Sequence, residues 1–327
     1  MRLVFMGTPE FSVPILENLI KHHEVILVVT QPDKPVGRKR VLTAPPVKEL
    51  AIANNIPVFQ PTRLRDDYQK IIDLKPDYII TAAYGQMLPK ELITKVHAIN
   101  VHGSILPKYR GGAPIQKSIM NLDETTGITI MKMEYKMDSG AIYYQEEIPI
   151  KDVDTTTSLT KKLSILGSEM IITYLDNIDK YPPIEQDESS VTFAYNITFE
   201  DQIIDWNLTS DQIDAHIRAM QDEPGAITYI NNHILKIYES RKSDIIKDGA
   251  PGTIIELDKQ LVINTGKGAL EILKLQPAGK RAMKTRDFLN GQNIMNLGDK
   301  LGKGEKLWKK IESYLQEKKC LKWTLSF

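Results

Sequence analysis

The sequence predicts an α/β chain: a doubly wound sheet beginning at residue 1, followed by a small β-barrel or sandwich. Three observations predict it. Continuous apolar runs at residues 2–6, 25–30, 77–83 and 98–101 read as strands buried on both faces. Helix-like segments at 10–22 and 90–96 lie between them, as in a parallel sheet covered by helices. Beyond residue 206 the pattern changes to short strands at 226–230, 233–239, 253–257, 260–264 and 269–275, separated by Gly, Asn and Asp turns.

Taken in order, Gly7-Thr8-Pro9 suits a tight strand-to-helix turn, with Thr8 as cap, Pro9 in the first turn and Gly7 relieving backbone crowding. The turn lacks the GxGxxG spacing of a dinucleotide site, which argues against a nicotinamide or flavin enzyme. Residues 127–134 and 141–150 read as paired strands joined across Met137-Asp138-Ser139-Gly140, and 158–175 as a helix. The run Tyr181-Pro-Pro-Ile-Glu-Gln-Asp-Glu-Ser-Ser190 is rich in Pro and acid and reads as the start of a linker. Thr209 or Ser210 caps a helix from Gln212 to Met220. The expected division is therefore 1–185, a linker over 186–205, a β-domain over 206–303, and a tail over 304–327. In that tail Leu307, Ile311, Tyr314 and Leu315 lie at helical spacing.

Bulk properties bound the function. The 327 residues are 42% hydrophobic and 26% charged, ordinary for a soluble globular chain of about two domains. The single cysteine, Cys320, excludes an internal disulfide and a thiolate-built zinc site. No apolar stretch approaches the ~18 residues of a membrane span, and the amino terminus lacks the features of a signal peptide. These features point to a cytoplasmic protein. Net charge is zero, but residues 206–327 hold 20 Lys/Arg against 15 Asp/Glu, a net of +5, so the carboxyl-terminal part is the basic one. Such asymmetry points modestly toward nucleic acid.

The densest reactive cluster is Asn100-Val-His-Gly-Ser-Ile-Leu-Pro107. Asn100 and His102 lie two apart at the end of an apolar strand, so they project to one side at the sheet's carboxyl edge, where α/β proteins bind ligands. An amide and an imidazole together suit acyl chemistry, since both can donate to a developing oxyanion. Alone, each has a blander reading: a strand-end cap and a packed histidine. Asp138 would orient or charge His102, or take a proton; as a lone residue it reads equally as a turn aspartate bonding its own backbone. Gly111 and Gly112 would let the backbone pass close to a ligand. The segment Lys34-Pro-Val-Gly-Arg-Lys-Arg-Val-Leu-Thr-Ala-Pro-Pro-Val-Lys48 carries five bases, three prolines and no acid. It reads as a loop whose Lys34, Arg38, Lys39, Arg40 and Lys48 would pair phosphates. Lys280, Arg281, Lys284 and Arg286 form a second basic group.

Together these residues resemble the methionyl-tRNA formyltransferases. The matching motifs are Phe5-Met-Gly-Thr-Pro-Glu-Phe11, Thr30-Gln-Pro-Asp-Lys-Pro35 and Ala83-Tyr-Gly-Gln-Met-Leu-Pro89. Further matches are Asn100-Val-His-Gly-Ser-Ile-Leu-Pro107 with its Tyr-Arg-Gly-Gly-Ala-Pro-Ile-Gln continuation, Met137-Asp-Ser-Gly140 and Leu275-Gln-Pro-Ala-Gly-Lys280. The resemblance implies a Rossmann-like formyltransferase domain followed by an OB-like β-barrel that binds tRNA. It implies 10-formyltetrahydrofolate as donor co-substrate, with no tightly bound cofactor and no metal, because the donor is already activated. The acceptor is the α-amino group of methionine on initiator tRNA, and the protein a monomer serving translation initiation. By motif match Asn100, His102 and Asp138 are catalytic, with Asp138 in hydrogen-bonding reach of His102 and keeping it charged. Ser104, Ile105, Leu106 and Pro107 fall where the family contacts folate. The 34–48 loop, with Lys280 and Arg281, falls toward the tRNA. The chain departs from the family at 221–225, Gln-Asp-Glu-Pro-Gly where Asn-Pro-Trp-Pro-Gly is common, and in its long tail. A formyltransferase for an amino-sugar nucleotide could share the Asn-His-Asp residues, but a small substrate needs no basic arm.

Overall fold

The computed structural model describes residues 1–37, 39–291 and 294–302. Arg38 and the helix expected over 304–327 lie outside the described residues. Contacts divide the chain into two compact units. The first comprises Met1–Ser118, Asp123–Asp152 and Thr157–Asn196. The second comprises Ile119–Leu122, Val153–Thr156 and the chain from Ile197 onward.

Chain order begins β1 (Arg2–Gly7), α1 (Ser12–His22), β2 (Glu24–Val29), β3 (Lys34–Val36), β4 (Val41–Thr43), α2 (Pro46–Ala53) and β5 (Val58–Phe59). It continues α3 (Leu64–Asp67), α4 (Gln69–Asp73), β6 (Tyr78–Ala82), α5 (Lys90–Lys95), β7 (Ala98–His102), α6 (Pro114–Met120), β8 (Thr125–Lys132), β9 (Ile142–Pro149) and α7 (Thr156–Asp176). Seven strands form one sheet in the order β5-β2-β1-β6-β7-β8-β9. The five from β5 to β7 are parallel, and β8 and β9 continue antiparallel. Leu3, Val4, Phe5 and Met6 of β1 are fully buried, as a central strand covered on both faces requires. Strand order reverses between β1 and β6, so the ligand crevice of an α/β sheet falls at their carboxyl ends, beside the end of β7.

The turn after β1 is built differently from the sequence expectation. Helix α1 starts at Ser12, with Phe11 at its N-cap and no side-chain cap. The Thr8 hydroxyl donates instead to the carbonyl of Tyr84 (3.0 Å), and Ser12 Oγ to that of Ala82 (2.6 Å). Two strand ends are thereby tied together, a tertiary demand that overrides local capping. Gly7 does relieve crowding: a Cβ there would lie 2.7 Å from the Cβ of Ser12.

The second unit contains α8 (Ser210–Ala219), β10 (Ala226–Ile230), β11 (His233–Lys242), β12 (Ile254–Glu256), β13 (Leu261–Asn264), β14 (Ala269–Pro277), β15 (Met283–Lys284) and α9 (Thr285–Leu289). Thr209 caps α8 through a reciprocal capping box with Gln212. The antiparallel path runs β10-β11-β14-β13-β12, with β15 on β14. Its two edges meet through one segment, because Gly302 bridges Tyr229 of β10 while Lys300 bridges Thr253 beside β12. The sheet therefore curls into a barrel around Trp206, Ile237, Ile263, Leu270, Leu275 and Phe288.

The linker expected over 186–205 is not one. Gln186 and Ala194 are buried in the first unit, and Ile203, Ile204 and Trp206 in the second. Composition suggested a solvated tether; tertiary hydrogen bonds to residues 107–113 and 138–140 make most of it structure.

Candidate active site

Strand β7 carries Asn100 and His102 to the carboxyl edge of the sheet, on the same side. Asn100 pairs in register with Thr81 of β6, and the Thr81 hydroxyl donates to Asn100 Oδ1 (2.8 Å). That bond orients the amide and leaves its N–H groups for another acceptor. His102 is buried, with Nε2 3.0 Å from the Tyr109 carbonyl. A carbonyl only accepts, so Nε2 carries the hydrogen and Nδ1 is the nitrogen left for chemistry. Nδ1 faces Asp138 Oδ2 at 3.8 Å. The structure thus joins His102 and Asp138 across 36 residues, at ion-pair distance rather than in the direct hydrogen bond expected.

What fixes Asp138 was invisible in sequence. Its backbone is left-handed (φ +46°) within the β8–β9 connection. Its Oδ2 accepts from the amide of Gly111 (2.8 Å). Gln186 donates from Nε2 to the carbonyls of both Asp138 and Gly140, each at 2.8 Å. Arg110, fully buried, donates in turn to Gln186 Oε1 from Nε (3.0 Å) and Nη2 (2.8 Å), and to Glu188 Oε1 (2.7 Å). Hydrogen bonds from Arg110 and Lys136 hold the Glu188 carboxyl down at about 2. The buried guanidinium is therefore paired with an ionised acid, the condition for burying a charge at acceptable cost. Arg110 and Gln186 are the residues that sequence reasoning missed. The one available signal was an arginine set directly before Gly-Gly, without an acid beside it in the chain.

The Tyr-Arg-Gly-Gly-Ala-Pro loop is clamped by residues 192–196. Arg110 N–H donates to the Thr192 carbonyl (2.9 Å), Ala194 N–H to that of Arg110 (2.8 Å) and Ala113 N–H to that of Ala194 (3.0 Å). Gly111 has φ +127°, and a Cβ there would sit 2.5 Å from Ala194 O. Its freedom serves close packing of the chain on itself, where a ligand was expected.

The expected folate segment follows His102 directly. Ser104 is buried, its hydroxyl bonded to the Lys108 carbonyl (2.7 Å), and Leu106 packs with Met131 and Ile142. Those two side chains are turned inward. Ile105 and Pro107, half-exposed, are the two able to meet a ligand. Ile105 also lines a polar cavity of about 430 Å³ with Lys108, Tyr109, Asp123, Thr125 and Glu147.

The basic 34–48 segment is a β-hairpin rather than a loop, β3 paired antiparallel with β4. Lys34, Lys39 and Arg40 are exposed on it, together with Val36, Val41 and Leu42. Lys48 stands apart from them, on α2, with its ammonium 2.8 Å from both oxygens of Asp33. That contact and a hydrogen bond from Gln60 hold the Asp33 carboxyl below its ordinary value, Gln60 contributing most. In the second unit Lys280 and Arg281 are exposed after β14, and Lys280 borders a cavity of about 190 Å³ with His233, Asp287 and Phe288. Among the described residues no group of three or more His, Cys, Asp or Glu could hold a metal ion, and no helix is long and apolar enough to cross a membrane.

An amide, an imidazole and a carboxylate at the switch-point edge of such a sheet define an acyl-transfer class, and comparison with known proteins narrows it. The Formyl transferase family matches residues 1–175, and its carboxyl-terminal domain family matches 196–293. The methionyl-tRNA formyltransferase of Staphylococcus epidermidis is 47% identical over 300 residues, covering 89% of this chain and 96% of that protein. That of Bacillus subtilis is 45% identical over 310 residues, covering 92% and 98%. Among solved structures, an N-formyltransferase from Helicobacter canadensis in complex with folinic acid and dTDP-3-aminofucose matches with a TM-score of 0.63 at 22% identity, over 83% of this chain and 97% of that one. The chain belongs to the methionyl-tRNA formyltransferase family.

Proposed function

We propose that this chain moves a formyl group from 10-formyltetrahydrofolate to the α-amino group of methionyl initiator tRNA, at a centre made of Asn100, His102 and Asp138. The observation that carries the mechanism is the convergence of these three side chains at the carboxyl end of β7. The neutral α-amine attacks the formyl carbon, and the carbonyl electron pair moves onto oxygen. Asn100, its Oδ1 already taken by Thr81, donates N–H to that oxygen. With Nε2 of His102 committed to Tyr109, Nδ1 supplies the second donor when protonated, and the carboxylate of Asp138 balances that charge. Each such donor contributes on the order of 3 kcal/mol to the transition state. Asp138 also receives the proton that the attacking nitrogen sheds, and as the tetrahedral species collapses the bond from the formyl carbon to the folate nitrogen breaks, that nitrogen taking up a proton in exchange so that it leaves as a neutral amine.

Residues 104–107 take the folate chiefly through Ile105, Pro107 and backbone, since Ser104 and Leu106 point inward. Lys34, Lys39 and Arg40 on the hairpin, Arg38 of the same basic segment of sequence, and the barrel bases Lys280 and Arg281 contact tRNA phosphates. Lys48 is the weakest of that set, being neutralised by Asp33. The catalytic domain is the first unit, the tRNA-binding barrel the second, and the acceptor places the reaction in the cytoplasm.

A fold shared with an amino-sugar enzyme leaves the acceptor open, whereas 47% identity along nearly the whole chain favours the tRNA. Incubation with formyl-folate and each acceptor tests this. Formyl-methionyl-tRNA is the expected product; product with an amino-sugar nucleotide alone would reverse the assignment.

A further inference from the structure

We propose that Phe193 and Tyr195 form a stacking platform for the unpaired 3′-terminal bases of the aminoacyl-tRNA acceptor. The inference rests on the functional reading above and adds to it a site outside the catalytic residues and the basic groups.

Residues 192–196 lie along the Tyr-Arg-Gly-Gly loop, with Phe193 in a parallel bridge to Arg110. Ala194, between the two aromatics, is fully buried, and its amide and carbonyl both bond that loop. The loop's next amide, Gly111 N–H, holds the Asp138 carboxylate. Since alternate residues of an extended segment point to opposite sides, anchoring Ala194 inward turns Phe193 and Tyr195 outward together. Their rings are parallel, at an interplanar angle of 0° and centroids 5.5 Å apart. They are 46% and 64% exposed. Two large aromatic side chains held parallel in water, a few residues from a reaction centre, bury little and gain little for the fold. Tyr135, 60% exposed, and Met137, 41% exposed, lie on the connection that carries Asp138.

The chemistry of the acceptor selects the occupant. The reacting amine belongs to a methionine whose carboxyl is esterified to the last nucleotide, so the unpaired end of the tRNA must cross the rim of the site to deliver it. Unpaired bases offer π-faces, and aromatic side chains stack on them without regard to sequence. The platform thus reads bases, and the hairpin reads backbone.

The test is steady-state formylation of full-length methionyl initiator tRNA by the Phe193→Ala/Tyr195→Ala double variant, with the Phe193→Trp and Tyr195→Phe variants beside it. The expected result is a KM for charged tRNA raised about tenfold or more, with kcat and the KM for formyl-folate unchanged. Both aromatic variants should stay near the unsubstituted enzyme. A double variant with KM within twofold overturns the platform, as does a loss of tRNA affinity that the aromatic variants share. If the unsubstituted protein forms no formyl-methionyl-tRNA, the functional reading itself fails, an outcome distinct from either.

Discussion

The surroundings of Asp138 and the β3–β4 hairpin are both connections between strands, yet they are built in opposite ways. Around Asp138 the chain is tied at every atom that matters: the carboxylate by Gly111, and the backbone carbonyls by Gln186, which Arg110 holds. On the hairpin, Lys34, Lys39 and Arg40 have no side-chain hydrogen-bond or ion-pair partner among the described residues. The difference follows from what each must do. A group that stabilises developing charge acts through preorganisation, and a displacement of about 1 Å can cost a hundredfold in rate. A group that neutralises phosphate acts through a longer-ranged field, so reach matters more than placement. On the roles proposed above, the tied region is the one that does the chemistry, and the exposed, unpaired bases are the ones that grip a polyanion.

The sharpest way to break this comparison is to remove the rigid region's chemistry. His102→Ala should lower kcat by about 10²- to 10³-fold, with tRNA affinity little changed. Steady-state kinetics beside a binding isotherm separates the two, and parallel losses in both would show that His102 holds the substrate instead.

Next comes rigidity itself. Gln186→Ala touches no substrate but frees the Asp138 and Gly140 carbonyls and leaves Arg110 short of an acceptor. We expect kcat to fall about tenfold and stability by roughly 1–3 kcal/mol, the cost of orphaning buried polar groups. Equal stability loss with an unaltered kcat would detach the network from catalysis.

On the hairpin, changing Lys34, Lys39 and Arg40 together to Ala should reduce the salt dependence of tRNA affinity by a log–log slope of about 2 to 3. The single change Lys48→Ala should leave the slope nearly unaltered, because Asp33 already neutralises that charge. A larger slope change from Lys48 than from the other three would invert the division drawn here.

The smallest effect lies in acid. Glu188 is held at about 2 in the folded chain, below its ordinary 4.5. A depressed carboxyl contributes stability that is present above pH 4.5 and is lost as pH falls toward 2. Glu188→Gln should therefore flatten the pH dependence of unfolding in that window, since the variant has no such contribution to lose. Identical acid limbs in the two proteins would mean that solvent screens the contact completely.

The same contrast explains what could be read beforehand. Strands β1, β2, β6 and β7 were legible because burial on both faces leaves continuous apolar runs. The barrel strands were legible because turns punctuate them at short intervals. Asn100 and His102 were placed correctly by the two-residue period of a strand. Asp138 could be named from its motif but not located, since nothing local encodes its approach to His102. Gln186 was assigned to a linker because its neighbours are Pro, Asp, Glu and Ser. Composition reports what solvent sees, and in the run 181–190 Gln186 is the one buried residue. Thr8 failed for a related reason: its hydroxyl serves a carbonyl 76 residues away instead of the nearest helix.

The central claim is that Asn100, His102 and Asp138 act as one unit. Single-turnover formyl transfer at saturating tRNA and formyl-folate tests it most directly, comparing Asn100→Ala, His102→Ala and Asp138→Asn with the triple variant. Residues acting as a unit lose most of their effect at the first substitution, so the triple variant should be little slower than the slowest single. Effects that multiply across the three, or a near-normal rate in Asp138→Asn, would contradict the account.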